Sequence, residues 1–225
     1  MKKINIALDG HAGGGKSTTA KILAKKLAYI YVDSGAMYRA ITLFVLENNV
    51  NLDDLNAVEK ALNSIEIDFK LNEQNQHNDV FLNGGNVEDE IRTMEVTDKV
   101  SEVSAIKVVR EFLVKKQQEI GLKKGVVMDG RDIGTVVFPD AELKVFMTAS
   151  IAARAKRRLL EMQAKGQEVD LEEIKQNLES RDHQDSTRKE SPLKKAKDAI
   201  DIDTSELTID QQVDKILKLA LEIIN

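Results

Sequence analysis

Apolar and polar residues follow two different periods along most of the chain. Short apolar runs over 4–9, 29–33, 125–129, 143–147 and 199–203 are typical of buried strands. Between them, apolar residues recur every three or four positions, which predicts helices over 18–27, 34–48, 53–63, 91–120 (with a break), 150–165, 171–181 and 208–224. Strands that alternate with helices form a parallel sheet with helices on both faces. We therefore predict an α/β fold around a parallel five-stranded sheet.

One region departs from this order. Residues 65–71 alternate strictly between apolar and polar, which predicts a half-buried strand, and 80–82 form its return strand after a polar turn at 72–79. A second turn follows at 83–86. In the preceding helix, Leu55, Val58 and Leu62 are predicted on the apolar side. Because antiparallel strands interrupt the alternation, we interpret residues from about 62 to 90 as part of an inserted subdomain.

Composition narrows the class of protein. The length of 225 residues suits one domain with insertions, and the absence of cysteine excludes disulfides and thiolate chemistry. The first apolar run is too short for a signal peptide, and no run reaches the roughly eighteen residues of a membrane span. We expect a cytoplasmic protein, and a monomer, since no exposed apolar seam stands out. A net charge of −5 argues against a general nucleic-acid binder, so positive charge must be concentrated locally.

A glycine-rich loop between the first strand and the first helix predicts phosphate binding. Glycines allow consecutive backbone N–H groups to point inward, and the following helix adds its free N–H groups and dipole. In this G-x-x-x-x-G-K-S pattern, Lys16 supplies charge to the β and γ phosphates and Ser17 offers a hydroxyl to Mg²⁺. A glycine turn that binds nothing is the alternative. The predicted ATP ligands of the loop are Gly10, His11, Ala12, Gly13, Gly14, Gly15, Lys16, Ser17 and Thr18.

Charged residues follow a later strand at its carboxyl end, where ligands gather in parallel sheets. Asp129 can reach the Mg²⁺ shell, or it can simply initiate the turn before Gly130. Asp9 is a weaker candidate for the metal. Arg131 and Asp132 come next. An arginine fork suits phosphate and a carboxylate can accept from an amino group, although a surface ion pair is the alternative.

Two arginine clusters flank a linker at 166–170. Arg154, Arg157 and Arg158 share one helix face, and Arg181, Asp185 and Arg188 share another if that segment is helical. This arrangement suits a lid that brings arginines over phosphates and excludes water. A solvated helix surface is the alternative.

The second helix begins with a polar set that can hold another phosphate. Ser34, Tyr38 and Arg39 follow Asp33 at this helix N-terminus. Capping of the helix by Asp33 or Ser34 is the alternative, and both can hold together. The three histidines, His11, His77 and His183, lack metal-ligand spacing.

The assembled motifs resemble those of the bacterial cytidylate kinases, within the nucleoside monophosphate kinase family. The resemblance rests on D-S-G-A-M-Y-R at 33–39, D-G-R-D-I-G-T-V-V-F-P-D-A at 129–141 and R-D-x-x-D-S-x-R at 181–188, extended by 191–193 and 202–205. It covers essentially the whole chain. It implies a P-loop NTPase fold and the transfer of a phosphoryl group from ATP to CMP or dCMP with Mg²⁺, without partners among nucleic acids or membranes.

The resemblance also implies a division of the single kinase domain, residues 1–225. The core would comprise 1–33, 110–153 and 189–225, the monophosphate-binding region 34–109 with antiparallel strands at about 65–82, and the lid 154–188. Several residues carry implied roles. Ser34, Arg39, Arg131 and Arg188 would hold the CMP phosphate with Tyr38 beside them, Arg181 and Asp185 would face the sugar, Ser101, Arg110 and Asp132 would read the base, Arg157 would bind ATP, and Lys16, Arg131, Arg154, Arg158 and Arg188 would be catalytic.

Reading of the base has a physical basis. Asp132 can accept a hydrogen bond from the cytosine amino group while Arg110 donates to the ring acceptors. Uracil would turn an oxygen toward Asp132 and leave buried polar groups unpaired. Ser101 and Arg110 are out of phase on a straight helix, so we expect a bend near 104–105.

Two alternatives stay open. A kinase for another monophosphate, such as UMP or AMP, would share most of these features. A nucleotide switch without acceptor-dependent turnover would leave the lid arginines unexplained, and the guanine-reading N-K-x-D motif is absent from the sequence.

Overall fold

The computed structural model describes residues 2–72, 77–164, 166 and 168–225. Two compact units divide the chain: the first contains 1–31 and 123–225, and the second contains 32–122. The elements in chain order are β1 (Asn5–Gly10), α1 (Lys16–Leu27), β2 (Ile30–Asp33), α2 (Ser34–Glu47), α3 (Leu55–Leu62), β3 (Ile67–Asn72), β4 (His77–Leu82), β5 (Gly85–Asn86), α4 (Met94–Ala105), α5 (Lys107–Gly121), β6 (Val126–Gly130), β7 (Leu143–Thr148), α6 (Ile151–Ala164), α7 (Leu171–Thr187), β8 (Ile200–Asp203) and α8 (Ile209–Ile224).

A five-stranded sheet in the order β2-β6-β1-β7-β8 forms the centre of the first unit. The central strand β1 pairs in parallel with β6 and with β7, and β7 pairs in parallel with β8. All six residues of β1 are buried, because a central strand is covered on both faces. The predicted parallel five-stranded sheet is therefore confirmed.

Strand register brings the future site to one edge of this sheet. Asp9 lies opposite Gly130, and Gly10 lies opposite Met147. The strands β1, β6 and β7 consequently end side by side, and the segments that follow them leave from the same edge. We call this region, with the phosphate loop over 10–17, the sheet edge.

Aliphatic side chains from the sheet and from two helices build the main core of the first unit. Ile6, Leu8 and Val145 from the strands pack with Leu23 of α1 and Ile216 of α8. α8 begins with a capping box, in which Thr208 and Gln211 each accept a hydrogen bond from the other's backbone N–H. This packing holds α1, and with it the phosphate loop, against the sheet.

The described residues of the second unit form four α-helices, a short 3₁₀ turn at Glu90–Arg92 and a small antiparallel sheet in the order β3-β4-β5. Ile65 and Ile67 are buried and Glu66 and Asp68 are exposed, as the alternation predicts. The strands run longer than expected, since β3 extends to Asn72 and β4 starts at His77. The turn predicted at 72–79 is therefore wrong at 72 and at 77–79, and 73–76 lie outside the described residues.

Several predicted boundaries need correction. Leu55 is 56% exposed, whereas Val58 and Leu62 are buried, so the apolar side of α3 is narrower than predicted. Helix α7 continues six residues beyond Arg181 to Thr187. A π-helical turn at Ile133–Val137 was not predicted. The expected bend in 91–120 is confirmed, since α4 ends at Ala105 and Ile106 is extended before α5.

Two predicted positions cannot be compared. Lys165, the predicted end of a helix, and Gln167 of the predicted linker lie outside the described residues. Within the described part of the chain, no helix combines the length and apolar character required to cross a membrane.

Candidate active site

The phosphate loop leaves the N-terminus of α1 open to an anion. Gly15 precedes α1 in a left-handed conformation, and no side chain in the described part of the chain caps the helix. A Cβ on Gly10 would lie 2.1 Å from the carbonyl oxygen of Met147, so only glycine fits where β1 turns into the loop. The uncapped N–H groups and the helix dipole together favour a bound phosphate.

Lys16 is buried and folded back on the loop. Its ammonium donates to the carbonyl of His11 over 2.7 Å. Burial, with repulsion from Arg131, lowers the pKa of Lys16 to about 7, although the carboxylates of Asp129 and Asp9 oppose the shift. A bound polyphosphate would place negative charge beside this ammonium and so favour its protonated form.

A hydroxyl and a carboxylate meet beside the loop. Ser17 donates from Oγ to Oδ2 of Asp129 over 2.8 Å, and the hydroxyl of Tyr31 donates to Oδ1 over 2.8 Å. Tyr31 thereby fixes the orientation of Asp129. Oxygen ligands of this kind suit Mg²⁺, which commonly uses one or two protein groups and completes its shell with phosphates and water. Ser17 and Asp129 therefore fit the predicted metal role. Among the described residues, no group of three acidic, histidine or cysteine side chains forms a protein-only cage.

Asp9, the weaker metal candidate, faces the backbone instead. Its Oδ1 accepts from the N–H of Ile133 over 2.8 Å, and its Oδ2 accepts from the N–H of Gly134 over 2.7 Å. Burial raises its pKa to about 6, against the lowering effect of these two hydrogen bonds. Both oxygens are engaged, so the contacts give a metal role no support.

Residues from the far end of the sequence support the phosphate loop from behind. Thr204 donates from Oγ1 to the carbonyl of Gly14 over 3.1 Å. Thr19 donates to Oε1 of Gln212. A Cβ on Gly15 would lie only 2.9 Å from the same oxygen. The loop is therefore held by segments about 190 residues away in sequence.

Three guanidinium groups surround one carboxylate next to the sheet edge. Arg131 donates from Nε to Asp185 over 2.6 Å, and Nη1 of Arg188 lies 3.7 Å from the same carboxylate. Arg131, Arg181 and Arg188 hold the pKa of Asp185 below its usual value despite burial. Burial and repulsion from Arg131 and Arg158 lower the pKa of Arg181 to about 10, and its buried Nε has no hydrogen-bond partner among the described residues. The cluster carries more positive than negative charge, so it can accept an anion.

The arginines of α6 have three different sets of partners. Arg154 is buried; it donates to the carbonyl of Ala12 and forms a two-pronged pair with Asp182, with Nη2 at 2.6 Å from Oδ2. Arg157 donates to the carbonyl of Thr204. Arg158 lies 3.1 Å from Glu161 at the surface. Spacing alone had predicted that they act together, and the catalytic roles of Arg154 and Arg158 and the ATP role of Arg157 stay predictions.

Asp182 also connects α7 to the phosphate loop. Nδ1 of His11 lies 3.2 Å from its Oδ1. His11 and Arg154 hold the pKa of Asp182 below its usual value, against the effect of burial. The longer course of α7 thus places Asp182 and Asp185 one turn apart in a single helix.

The second unit contains the other predicted acceptor-binding residues. Asp33 caps α2 by accepting from the N–H of Ala36 over 3.0 Å, which leaves the buried Ser34 in the first turn. Arg39 donates from Nη1 to the carbonyl of Ile91 over 3.0 Å and to the hydroxyl of Thr97 over 2.9 Å. These contacts hold the guanidinium beside α4.

Tyr38 and Arg110 lie within the range of a cation–π contact in the same unit. The guanidinium carbon of Arg110 lies 5.2 Å from the centre of the Tyr38 ring. Arg110 also donates to the carbonyl of Ser104 over 3.0 Å, across the break between α4 and α5. Ser104 donates to the carbonyl of Ser101, the third residue implied in this region. Arg110 therefore contacts the last turn of α4, which begins near Ser101, and the roles of both residues in binding stay predictions.

Sequence reasoning missed three positioning residues: Tyr31, Thr97 and Gln212. Each was placed in the correct element, but its polar partner lies far along the chain. The sequence shows Tyr31 as a hydroxyl in an apolar strand and Gln212 as an amide in an apolar helix, but it does not indicate which residues these side chains contact.

Comparison with known proteins places nearly the whole chain in one family. The family model described as cytidylate kinase matches residues 6–222. This chain belongs to the cytidylate kinase family. A cytidylate kinase of Cytophaga hutchinsonii is 54% identical over 98% of this chain and 94% of its own length. One of Bacteroides fragilis is 55% identical over 94% of each chain, and one of Listeria innocua is 52% identical over 97% of this chain and 96% of its own.

Solved structures confirm the fold. A shikimate kinase from Bacteroides thetaiotaomicron has a TM-score of 0.51 at 13% identity, over 98% of this chain and 99% of that chain. An uncharacterized protein from Eubacterium ventriosum has a TM-score of 0.52 at 15% identity with the same coverage. At these identities the likeness concerns the fold alone, which is the predicted fold of P-loop kinases.

Proposed function

We propose that this chain transfers the γ-phosphoryl group of ATP to CMP or dCMP and releases ADP with CDP or dCDP. A phosphate oxygen of the acceptor forms the new bond to the γ-phosphorus. The bond to the bridging oxygen breaks, and ADP leaves with that electron pair. The protein forms no covalent bond in this in-line transfer, so its contribution is positioning, charge and exclusion of water.

The donor side of the proposal rests on the sheet edge. The uncapped start of α1 and the N–H groups of the phosphate loop bind the phosphates of ATP, and Lys16 neutralises charge on the β and γ groups. The observation that carries the proposal is that Lys16, Ser17 and Arg131 all follow strands that end at this one edge, where Arg131 contacts Asp185 of α7.

Mg²⁺ is the proposed cofactor. Ser17 and Asp129 would hold it, and Tyr31 would keep Asp129 in place. When bound, the ion supplies charge neutralisation to the phosphates. The residues of this chain do the rest, because they orient the two nucleotides and keep water from the γ-phosphorus.

The acceptor side rests on the arginine cluster and on the family's name. In our proposal, Arg131 and Arg188 exchange their contact with Asp185 for the acceptor phosphate, and Arg181 and Asp185 turn to the sugar. Asp132 and Arg110 read the base, with Ser101, and Ser34, Tyr38 and Arg39 complete the acceptor set. The helices α6 and α7 act as the lid. Selectivity for cytosine over uracil follows from the amino group that cytosine, unlike uracil, offers to Asp132.

A substrate panel tests the function. ATP consumption is measured with Mg²⁺ and CMP, dCMP, UMP, AMP or GMP, for the wild type and Asp132→Ala, with Asp140→Ala as the control because Asp140 is an exposed aspartate of the same segment. We expect turnover on CMP and dCMP, and a loss of CMP selectivity of about a hundredfold in Asp132→Ala alone. Preference for another monophosphate would overturn the base assignment, and turnover independent of any acceptor would support a nucleotide switch.

A further inference from the structure

A buried carboxylate connects the donor strand to the loop that carries the predicted acceptor residues. Asp9 is the last residue before the phosphate loop, and its two oxygens accept from the consecutive N–H groups of Ile133 and Gly134. Only 4% of Asp9 is exposed. A carboxylate that accepts two backbone hydrogen bonds in a dry site fixes that backbone closely, because each bond is charge-assisted.

The segment held in this way directly follows Arg131 and Asp132. The carbonyl of Asp132 accepts from the N–H groups of Val136 and Val137 over 2.9 and 3.2 Å, so the chain winds tightly just after the base-reading aspartate. The backbone of Asp132 is thus held on one side by β6 and on the other by Asp9 through Ile133. Asp9 makes this connection with its side chain, whereas its backbone is already paired within the sheet.

Space around the contact is tightly limited. A Cβ on Gly134 would lie 3.3 Å from Oδ2 of Asp9 and 3.2 Å from Cδ of Lys144. The absence of a side chain at 134 therefore allows the carboxylate to approach the backbone. The repulsion between Asp9 and the nearby Asp132 raises the pKa of Asp9 further, while Lys16 opposes it.

We propose that Asp9 is a positioning residue for acceptor recognition: its side chain fixes the backbone at Ile133 and Gly134 and so sets the place of Arg131 and Asp132. The effect of Asp9 on binding of the acceptor nucleotide rests on the proposed function. Asp9 touches neither nucleotide in this scheme. Its effect reaches the acceptor through the 131–134 backbone, so it governs the acceptor more than ATP.

The test compares two variants that disturb the same contact from opposite sides. Asp9→Asn keeps the volume but turns an amino group toward one of the two N–H donors. Gly134→Ala crowds the carboxylate from the other side without a left-handed backbone to strain. In both, we expect KM for CMP to rise about tenfold and CMP-over-UMP selectivity to fall about tenfold, while KM for ATP changes by less than about twofold.

A matched control separates positioning from general stability. Asp54 also accepts two backbone N–H groups, those of Asn56 and Ala57, at the start of α3. Asp54→Asn should leave both Michaelis constants and the selectivity unchanged. If Asp9→Asn and Gly134→Ala lower the melting temperature but leave KM for CMP and the selectivity like those of the control, the proposal is overturned.

Hydrogen exchange makes the outcome independent of the reaction. In Asp9→Asn, the amides of Ile133 and Gly134 should exchange at least about tenfold faster than in the wild type, with the amides of β1 unchanged. If the wild type fails to phosphorylate CMP, the proposed function fails, and this exchange still decides whether Asp9 fixes the loop. Unchanged exchange at 133 and 134 would contradict the proposal even in an active enzyme.

Discussion

The sheet edge and the pair of helices α6 and α7 hold their charged groups in opposite ways. At the sheet edge, Asp9 binds backbone N–H groups and Asp129 binds two hydroxyls. In the helix pair, the buried and half-buried charges bind each other, as Arg154 does with Asp182. The apolar support differs too: the edge lies over the main core, whereas the helix pair has a small cluster of Ala155, Ile174 and Leu178.

This difference separates the part that must stay fixed from the part that can exchange partners. A buried backbone N–H group that donates to a carboxylate cannot exchange that acceptor for a substrate without opening the fold. An ion pair between side chains can be replaced by a phosphate, because the guanidinium finds an equivalent anion. In our proposal for the lid, Arg154 and Arg158 therefore stay paired with carboxylates until a nucleotide phosphate takes the place of those carboxylates.

The largest expected effect concerns Lys16 of the sheet edge, whose charge we expect to be needed for phosphoryl transfer and to destabilise the folded protein. Lys16→Met should lower kcat by about a thousandfold, because the charge on the transferred phosphoryl group loses its cation. The melting temperature should stay equal or rise, since burial lowers the pKa of Lys16 from 10.5 to about 7 and so disfavours the folded state.

The sign of the pH effect follows from that lowered pKa. The destabilisation of the folded state by the buried charge of Lys16 is fully present below about pH 7 and disappears as the pH rises through 10.5. The stability advantage of Lys16→Met over the wild type should therefore shrink between pH 7 and pH 10, measured by thermal unfolding. A variant less stable than the wild type at pH 7 would contradict this account.

A second comparison concerns apolar support. Leu8→Ala, in β1, should lower the free energy of unfolding by about 3 kcal/mol, because it leaves a cavity in the main core. Leu178→Ala, in the small cluster of α7, should cost about 1 kcal/mol globally and increase hydrogen exchange in α6 and α7 alone. Urea titrations and exchange measure both. Equal global costs would mean that the helix pair unfolds only together with the sheet.

The smallest expected effect concerns the ion pair of the helix pair. Asp182→Asn should destabilise α6 and α7 by about 1 kcal/mol at neutral pH, since it weakens the contacts with Arg154 and His11. The native pKa of Asp182 is below 3.8, so its contribution is present above about pH 4 and is lost as the pH falls through the native value. The difference between variant and wild type should therefore fade in acid.

The surface pair of Arg158 with Glu161 provides the control for this prediction. Glu161→Gln removes the carboxylate from an exposed pair on the same helix, so its effect should remain below about 0.5 kcal/mol. An effect as large as that of Asp182→Asn would show that burial does not distinguish the two pairs.

The sequence allowed prediction of features whose signal is local. The five strands, the phosphate loop and the break between α4 and α5 follow from runs, spacing and phase within a few turns of chain. The predicted length of helix α7 was too short. No apolar residue follows Leu178 until Leu193, so there was no apolar periodicity from which to predict its last turns. Charge-rich helices that depend on ion pairs are difficult to delimit for this reason.

Partners across the fold were beyond prediction. Helical spacing placed Arg154, Arg157 and Arg158 near one another, but it carries no information about what lies opposite. Asp9 was considered as a metal ligand because its position at a strand end was visible, while its backbone partners lie 124 and 125 residues away. The assignment of ligands to these side chains stays a prediction for the same reason.

The support of the phosphate loop by Thr204 and Gln212 has a consequence for synthesis of the protein. The loop over 10–17 is translated long before the residues that support it, because the contacts from Thr204 to Gly14 and from Gln212 to Thr19 join residues 190 and 193 positions apart. The central strand β1 likewise forms its pairs with β6 and β7 only after those later strands have been synthesised. Translation of the nucleotide site therefore begins with the loop and is complete only once its distant supports are made, so a nascent chain that ends before Gln212 should not yet be retained on immobilised ATP.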